Sequence, residues 1–355
     1  MHKDKQIFEL YTDYLMTSFN QTTATGLSDL LDGELSHDQV TRFLARKLFT
    51  SADLWAAVKK DLRKIEADDG VLIFDDTVQE KPFSKENALI NWHFDHTVGR
   101  SVKGINLLNC LYYANGSSLP VAFELTTKPI LYSDIKTQKL KRKSEITKNE
   151  HLRDMLLICK NNQLKWRYVL ADSWFSSSEN MKYIHNKIKK HFILALKSNR
   201  LIALTREDKL QGRFVRIDSL VWSDTPICGW IKGLDFPVIF HQQVFKNKDG
   251  SEGKLHLISN DIKLEKNAIE TIYQKRWKVE VFHKNIKSNT GLAKSPAKKE
   301  KTQSNHIFMS LVATARLECL SLKVGVTTFG LKMKLYIKAQ RQAIHELQRL
   351  TDATA

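Results

Sequence analysis

The chain has little cysteine, and what it has is scattered. Cys110, Cys159, Cys228 and Cys319 lie far apart with no Cys-x-x-Cys pair. That spacing argues against a zinc module and a disulfide framework, and it fits a reducing cytosol. Long apolar runs are also missing. Met1–Leu10 holds no apolar signal region, and no stretch approaches the ~18 apolar residues of a spanning helix, so no membrane partner is expected. Low-complexity tracts and fixed-period repeats are absent, which excludes a repeat architecture. Acidic residues are short as well. There are 39 Asp/Glu against 56 Lys/Arg, a formal net charge of +17. A polyanionic partner follows, and nucleic acid fits better than an anionic membrane because no amphipathic anchor stands out.

What is present reads as a globular α/β protein. The 355 residues, 42% hydrophobic and 27% charged, are enough for one large core with smaller units attached. The charge is uneven. Residues 1–69 carry nine Lys/Arg and twelve Asp/Glu, leaving a net of +20 for the remainder. This N-terminal stretch reads as a small all-α domain. Residues 5–19 are amphipathic, and two short helices separated by a Gly-containing turn over Gly26–Arg46 follow the helix-turn-helix pattern. Ser36 and Gln39 form a capping box for the second of them, which would present His37, Thr41, Arg42 and Arg46 and bury Val40, Phe43 and Leu44. DNA reading by residues 27–47 and plain packing on the core are both open. A third helix spans roughly 51–67.

From Val71 the texture changes to strand. Val71–Phe74 is a continuous apolar run of the kind buried on both faces, and it ends in Asp75-Asp76-Thr77. Arg167–Ala171 is a second such run, ending at Asp172. Polar residues just past the carboxyl end of a buried strand are where open α/β sheets place their sites. Between these runs, 78–101 reads as polar and irregular, with His93, Asp95 and His96 as either metal ligands or loop packing. Ile105–Tyr113 and Leu119–Thr127 form a hairpin through Asn115-Gly116. Lys128–Lys148 is the densest basic run and reads as a loop that contacts phosphates or is simply solvated. A third apolar strand covers His191–Leu196, and short strands broken by turns fill 201–260 as a β-rich insertion. A helix of about 263–289 follows, then an apolar helix of about 304–322 and a basic tail over 326–355.

The 263–289 helix carries a stripe of Tyr273, Arg276, Glu280, Lys284 and Lys287, whose spacings of three and four share one helical face. Taken alone, this is either a salt-bridged surface or a carboxylate flanked by phosphate-binding groups. Asp76, Asp172 and Glu280 together favour the second. Carboxylate oxygens are the hard ligands that Mg²⁺ or Mn²⁺ require. Three of them can hold two ions that activate an attacking oxygen and stabilise a leaving one in phosphoryl transfer.

The chain resembles the DDE-type transposases of bacterial insertion sequences, in the group (insertion sequence family 4) marked by Tyr-x2-Arg-x3-Glu-x6-Lys. Tyr273, Arg276, Glu280 and Lys287 match that signature, Phe74–Thr77 resembles the first acidic motif and Val169–Asp172 the second. The resemblance implies a ribonuclease H-like catalytic core over 70–200 and 261–325, interrupted by the β-rich 201–260. It implies Asp76, Asp172 and Glu280 as catalytic metal ligands, Asp76 being chosen over Asp75 because it directly precedes Thr. Tyr273, Arg276, Lys284 and Lys287 would hold DNA phosphates. Because members of the group can stack a flipped base on a Trp, Trp174, Trp222 and Trp230 are candidates for base stacking, with core packing as the alternative. The implied activity is metal-dependent cleavage at the element's ends and transfer of the freed 3′-OH into target DNA. The implied partners are double-stranded terminal inverted repeats and target DNA, with a homodimer in the synaptic complex. The implied location is the bacterial cytoplasm, associated with the nucleoid. A catalytically inactive or regulatory helix-turn-helix protein is the second reading, and a nuclease without joining activity the third.

Overall fold

The computed structural model describes residues 2–95, 98–135, 137–247 and 249–353; His96 and Lys136 lie outside them. The chain opens with four helices, α1 (His2–Thr17), α2 (Ala24–Leu30), α3 (His37–Arg46) and α4 (Ser51–Ile65). The expected capping box closes the start of α3, where the Ser36 amide donates to Gln39 Oε1 at 3.1 Å. That helix buries Val40, Phe43 and Leu44.

Six strands follow: β1 (Val71–Glu80), β2 (Asn91–Asp95), β3 (Arg100–Ala114), β4 (Ser117–Leu125), β5 (Ile130–Asp134) and β6 (Lys139–Lys143). Then come α5 (Lys148–Asn161), β7 (Tyr168–Ala171), α6 (Ser178–Lys182), which runs on through a π-helical turn over Tyr183–Ile188, and β8 (His191–Leu196). The next segment holds β9 (Leu201–Ala203), α7 (Arg206–Leu210), β10 (Val215–Arg216), β11 (Ile227–Ile231), β12 (Val238–Lys246) and β13 (Glu252–Ser259). Four helices end the chain: α8 (Lys266–Gln274), α9 (Trp277–Asn289), α10 (Glu300–Val324) and α11 (Thr328–Ala353).

Among the described residues, all strands except β5 and β6 join one eleven-stranded sheet. Its centre runs β4-β3-β1-β7-β8, with β3 antiparallel to β1 and β4, and with β7 and β8 parallel to β1. This mixed α/β order is consistent with the ribonuclease H-like core expected from the sequence. The three parallel strands are the apolar runs, and Val71–Phe74 and Tyr168–Ala171 are fully buried, as a strand covered on both faces should be. The Asn115-Gly116 turn joins β3 to β4 with both residues at positive φ, 50° and 78°, the geometry of a two-residue hairpin. Past β8 the sheet continues into β13, β12, β11 and β9, so the strands of 201–260 extend the central sheet instead of forming a separate one.

Several expectations need correction. The 78–101 stretch is irregular only in part: β1 runs on to Glu80, and β2 pairs with the start of β3. Gly104 sits where β1, β2 and β3 meet, and any side chain there would strike the Gln79 carbonyl. The basic 128–148 stretch contains the β5–β6 hairpin instead of a bare loop. The helix of about 263–289 is two helices, because Lys275, Arg276, Lys278 and Val279 bond carbonyls three residues back instead of four. In the final basic stretch, α11 covers Thr328–Ala353.

The helices cover the sheet, and α10 is central to them. Its residues from Thr302 to Ala315 are buried on all sides, against α1, α3, α4 and β4. Several polar groups inside this packing are paired: Tyr11 meets His306 at 2.9 Å, and Asn305 donates to the carbonyls of Leu44 and Lys47. The first helices and the central sheet therefore share one continuous core.

Candidate active site

The site lies where the parallel strands end. β1 and β7 are paired up to Phe74 and Ala171, so Asp75-Asp76 and Asp172 emerge side by side from adjacent strands. α9 crosses β1 and brings Glu280 to the same place. Asp75, Asp76, Asp172, Glu280, Lys284 and Lys287 line one groove of about 460 Å³. Asp172 also borders two further grooves, and Asp76 one of them, so the recesses meet at these carboxylates.

Successive residues of a strand point to opposite faces, and Asp75 and Asp76 do so. Asp76 turns toward α5, where its Oδ2 accepts from Lys148 Nζ at 2.7 Å and from the Asn106 side chain. Asp75 turns toward α9, where Arg276 stands 3.5 Å from its carboxylate. Arg276 also donates to Glu280 Oε1 at 2.7 Å, so one guanidinium bridges the first motif and the helix. Asp172 accepts the Trp174 amide at 2.9 Å and caps a short helical turn. Burial, then the neighbouring Asp172, lifts the Asp75 carboxyl from the ordinary 3.8 to about 7. Asp172 is also raised, first by burial, while hydrogen bonds and Arg276 pull it the other way.

Among the described residues, no three His, Cys, Asp or Glu side chains are gathered to hold a single metal ion. The donor chemistry nevertheless suits a hard divalent cation. Four carboxylates border one groove, and the elevated Asp75 and Asp172 carry the mutual repulsion that such a cation relieves. Lys148 and Arg276 supply the positive charge here. His93 lines a neighbouring groove with Asp76 and Asp172; it is buried, its Nε2 has no hydrogen-bond partner, and burial, then Lys128 and Lys148, drives its imidazole down to about 3, so the ring is neutral.

The remaining expected residues divide. Lys284 is exposed along the groove. Lys287 is half-buried and donates to the Val78 carbonyl at 3.0 Å, tying α9 to β1. Tyr273 is buried and donates to the Ala171 carbonyl at 3.4 Å, where it props the end of β7; burial pushes its phenol up. Trp174 is half-exposed on a neighbouring groove, with Lys148 and Lys197 within 6 Å of its ring. Trp222 packs on the core beside His256, and Trp230 is a partly buried residue of β11.

Residues 1–211 match the family described as DDE superfamily endonuclease. The chain belongs to that family. The match covers more than half of the 355 residues and takes in Asp76 and Asp172; Glu280 lies beyond it. No curated protein matches the chain. Among solved structures, the Drosophila P element transposase strand transfer complex is similar to it at 13% identity with a TM-score of 0.25, over 51% of this chain and 35% of that one. The chain thus spans about a third of that protein's length.

Sequence reasoning passed over three groups in this DDE endonuclease site. Lys148 was hidden in a basic run, and only its place at the first turn of α5, beside the Thr147–Glu150 capping box, sets it apart. Asn106 and His283 were unremarkable in a strand and a helix. Asn106 holds Asp76, and His283 meets Asn109 at 2.9 Å under the groove.

Proposed function

We propose that this DDE endonuclease is the transposase of a bacterial insertion sequence, of the family 4 type, cutting at the element's ends and joining the freed 3′-OH to target DNA. The observation that carries this reading is the convergence on one groove of carboxylates from two adjacent parallel strand ends and a crossing helix, inside a chain of net charge +17. Asp76, Asp172 and Glu280 would hold Mg²⁺ or Mn²⁺, two ions in this reading, whose Lewis acidity activates an attacking oxygen and steadies a leaving one.

The protein's own groups do the rest. Arg276, now shared between Asp75 and Glu280, is placed to take a phosphate oxygen as the carboxylates acquire a cation. Lys284 faces the groove with its ammonium in solvent and meets the incoming backbone. Lys287 and Tyr273 fix α9 and the end of β7, so their phosphate contacts require exchanging a backbone carbonyl for substrate. Trp174, with a face exposed beside Asp172, is the base-stacking candidate this arrangement favours. The substrates are double-stranded terminal repeats and target DNA, bound by a homodimer when two ends are paired.

The full chain should nick supercoiled plasmid carrying the element's ends when Mg²⁺ is added. Glu280→Ala should abolish nicking and leave end binding nearly intact. Persistent Mg²⁺-dependent nicking by that variant would sink the assignment, and a binding-only protein would shift the plasmid without cutting it.

A further inference from the structure

The β5–β6 hairpin is a two-stranded sheet apart from the central one, and every residue of its strands is at least partly exposed. Such a hairpin is marginal in water by itself. Ion pairs hold its base and stem: Arg142 to Glu86 at 3.4 Å and Lys141 to Asp134 at 2.6 Å. Lys128 donates to the Trp92 carbonyl and so ties the hairpin's root to β2. Residues 128–143 hold six Lys/Arg and one acid. Leu131, Ile135 and Leu140 are nonetheless at least half-exposed, so charge alone does not describe this surface.

Between the hairpin and β2 lies a recess of about 450 Å³, where Trp92, Tyr132, Leu140, Lys128 and Lys139 converge. Trp92 is 54% exposed, and Lys143 stands 5.9 Å from the Tyr132 ring. Lys128 also lines the groove that holds Asp76, Asp172, Lys148 and Trp174. A polyanionic strand leaving the carboxylates past Lys148 and Lys128 therefore runs directly onto Trp92 and Tyr132.

Exposed aromatic rings interleaved with lysines suit unpaired nucleotides, whose bases present free faces for stacking. A duplex hides those faces and offers this surface only phosphates. We propose that the recess between β2 and the β5–β6 hairpin binds an unpaired DNA segment next to the cleavage position, with Trp92 and Tyr132 stacking bases and Lys128 and Lys139 holding phosphates. The inference rests on the DNA-processing reading above and adds the strandedness and path of the substrate.

The test is binding by the full chain in chelator, so that catalysis plays no part. Two probes are compared: a blunt duplex, and the same duplex with a short single-stranded flank carrying 2-aminopurine. The native chain should favour the flanked probe and quench its fluorescence. Trp92→Ala should cut the affinity for the flanked probe about tenfold, in line with the loss of one stacked base. It should abolish the quenching and leave blunt-duplex binding unchanged; Trp92→Phe should restore both. Tyr132→Ala, on the exposed hairpin, should act in the same direction. Equal losses on both probes, or retained quenching in both alanine variants, would overturn the proposal. Native protein that binds both probes equally without quenching would overturn it too, while native protein that binds neither would overturn the DNA reading itself.

Discussion

Replacing Asp75 with Asn should stabilise the metal-free protein by an amount that grows as pH rises from about 4 to 7. The native Asp75 carboxyl keeps its proton to about pH 7, whereas in the unfolded chain it loses it near 3.8. Between those values the folded state binds a proton that the unfolded state has released, so stability falls as pH rises through that window and levels off above it. At about 1.4 kcal/mol per unit, the full cost above pH 7 approaches ~4 kcal/mol. Arg276, 3.5 Å away, pulls the carboxyl below where burial alone would put it, and that pull is already contained in this figure. A gain of up to about 4 kcal/mol at pH 8 is expected, which for a chain of this size is roughly 5 °C in Tm. Thermal melts of both proteins in chelator at pH 5, 6, 7 and 8 measure it. The curves should already differ at pH 5, separate further up to pH 7 and run parallel from there to pH 8. A difference constant with pH, or a variant less stable at pH 8, would refute the view that burial, with Asp172 beside it, keeps the Asp75 carboxyl protonated.

Three other outcomes test the neighbours. Lys284→Ala should make the slope of log affinity for DNA against log salt shallower by about 0.9, the loss of one phosphate contact, and an unchanged slope would count against it. Tyr273→Phe removes the bond to Ala171 and the phenol's contact with Arg276, so Tm should fall by less than about 2 °C with DNA affinity intact; a tenfold loss of affinity at unchanged Tm would show instead that the phenol meets phosphate. Lys148→Ala removes the cation already bound to Asp76, so the Mg²⁺ concentration for half-maximal nicking should fall roughly three- to tenfold, about a kcal/mol of competition. A rise would indicate that Lys148 orients Asp76.

The parts of the site that could be read in the sequence are those written in contiguous residues. Val71–Phe74 and Tyr168–Ala171 are apolar throughout because both faces are covered, and the acids that end them stand out for that reason. The stripe from Tyr273 on α8 to Lys287 on α9 was visible as a spacing. Its roles were not, because burial decides them: Tyr273 and Lys287 turn toward backbone carbonyls of β7 and β1, partners more than a hundred residues away in sequence. The tightened turn at Lys275–Lys278 left no mark either, since helix-forming residues fill it. Strand β2 was missed because its alternation is inverted, Asn91 and His93 being buried and Trp92 and Phe94 exposed, and the β5–β6 hairpin because all its strand residues are at least partly exposed. The choice between Asp75 and Asp76 turned on alternation that an all-buried strand does not display.

The burial of α10 among the first helices bears on how the protein is made. Glu9 pairs with Arg316 at 2.5 Å, and Tyr11 with His306, so the opening segment has its partners only once residues near 300 have been synthesised. At about 5–20 residues per second, α1 waits some 15–60 s on the ribosome for α10, its main partner. Glu280 is translated just before α10, and the groove and the scaffold beneath it are therefore completed almost together. A chain cut short before α10 would have both Asp motifs but no helix to close the core beneath them, and shortened products should be insoluble instead of partly active.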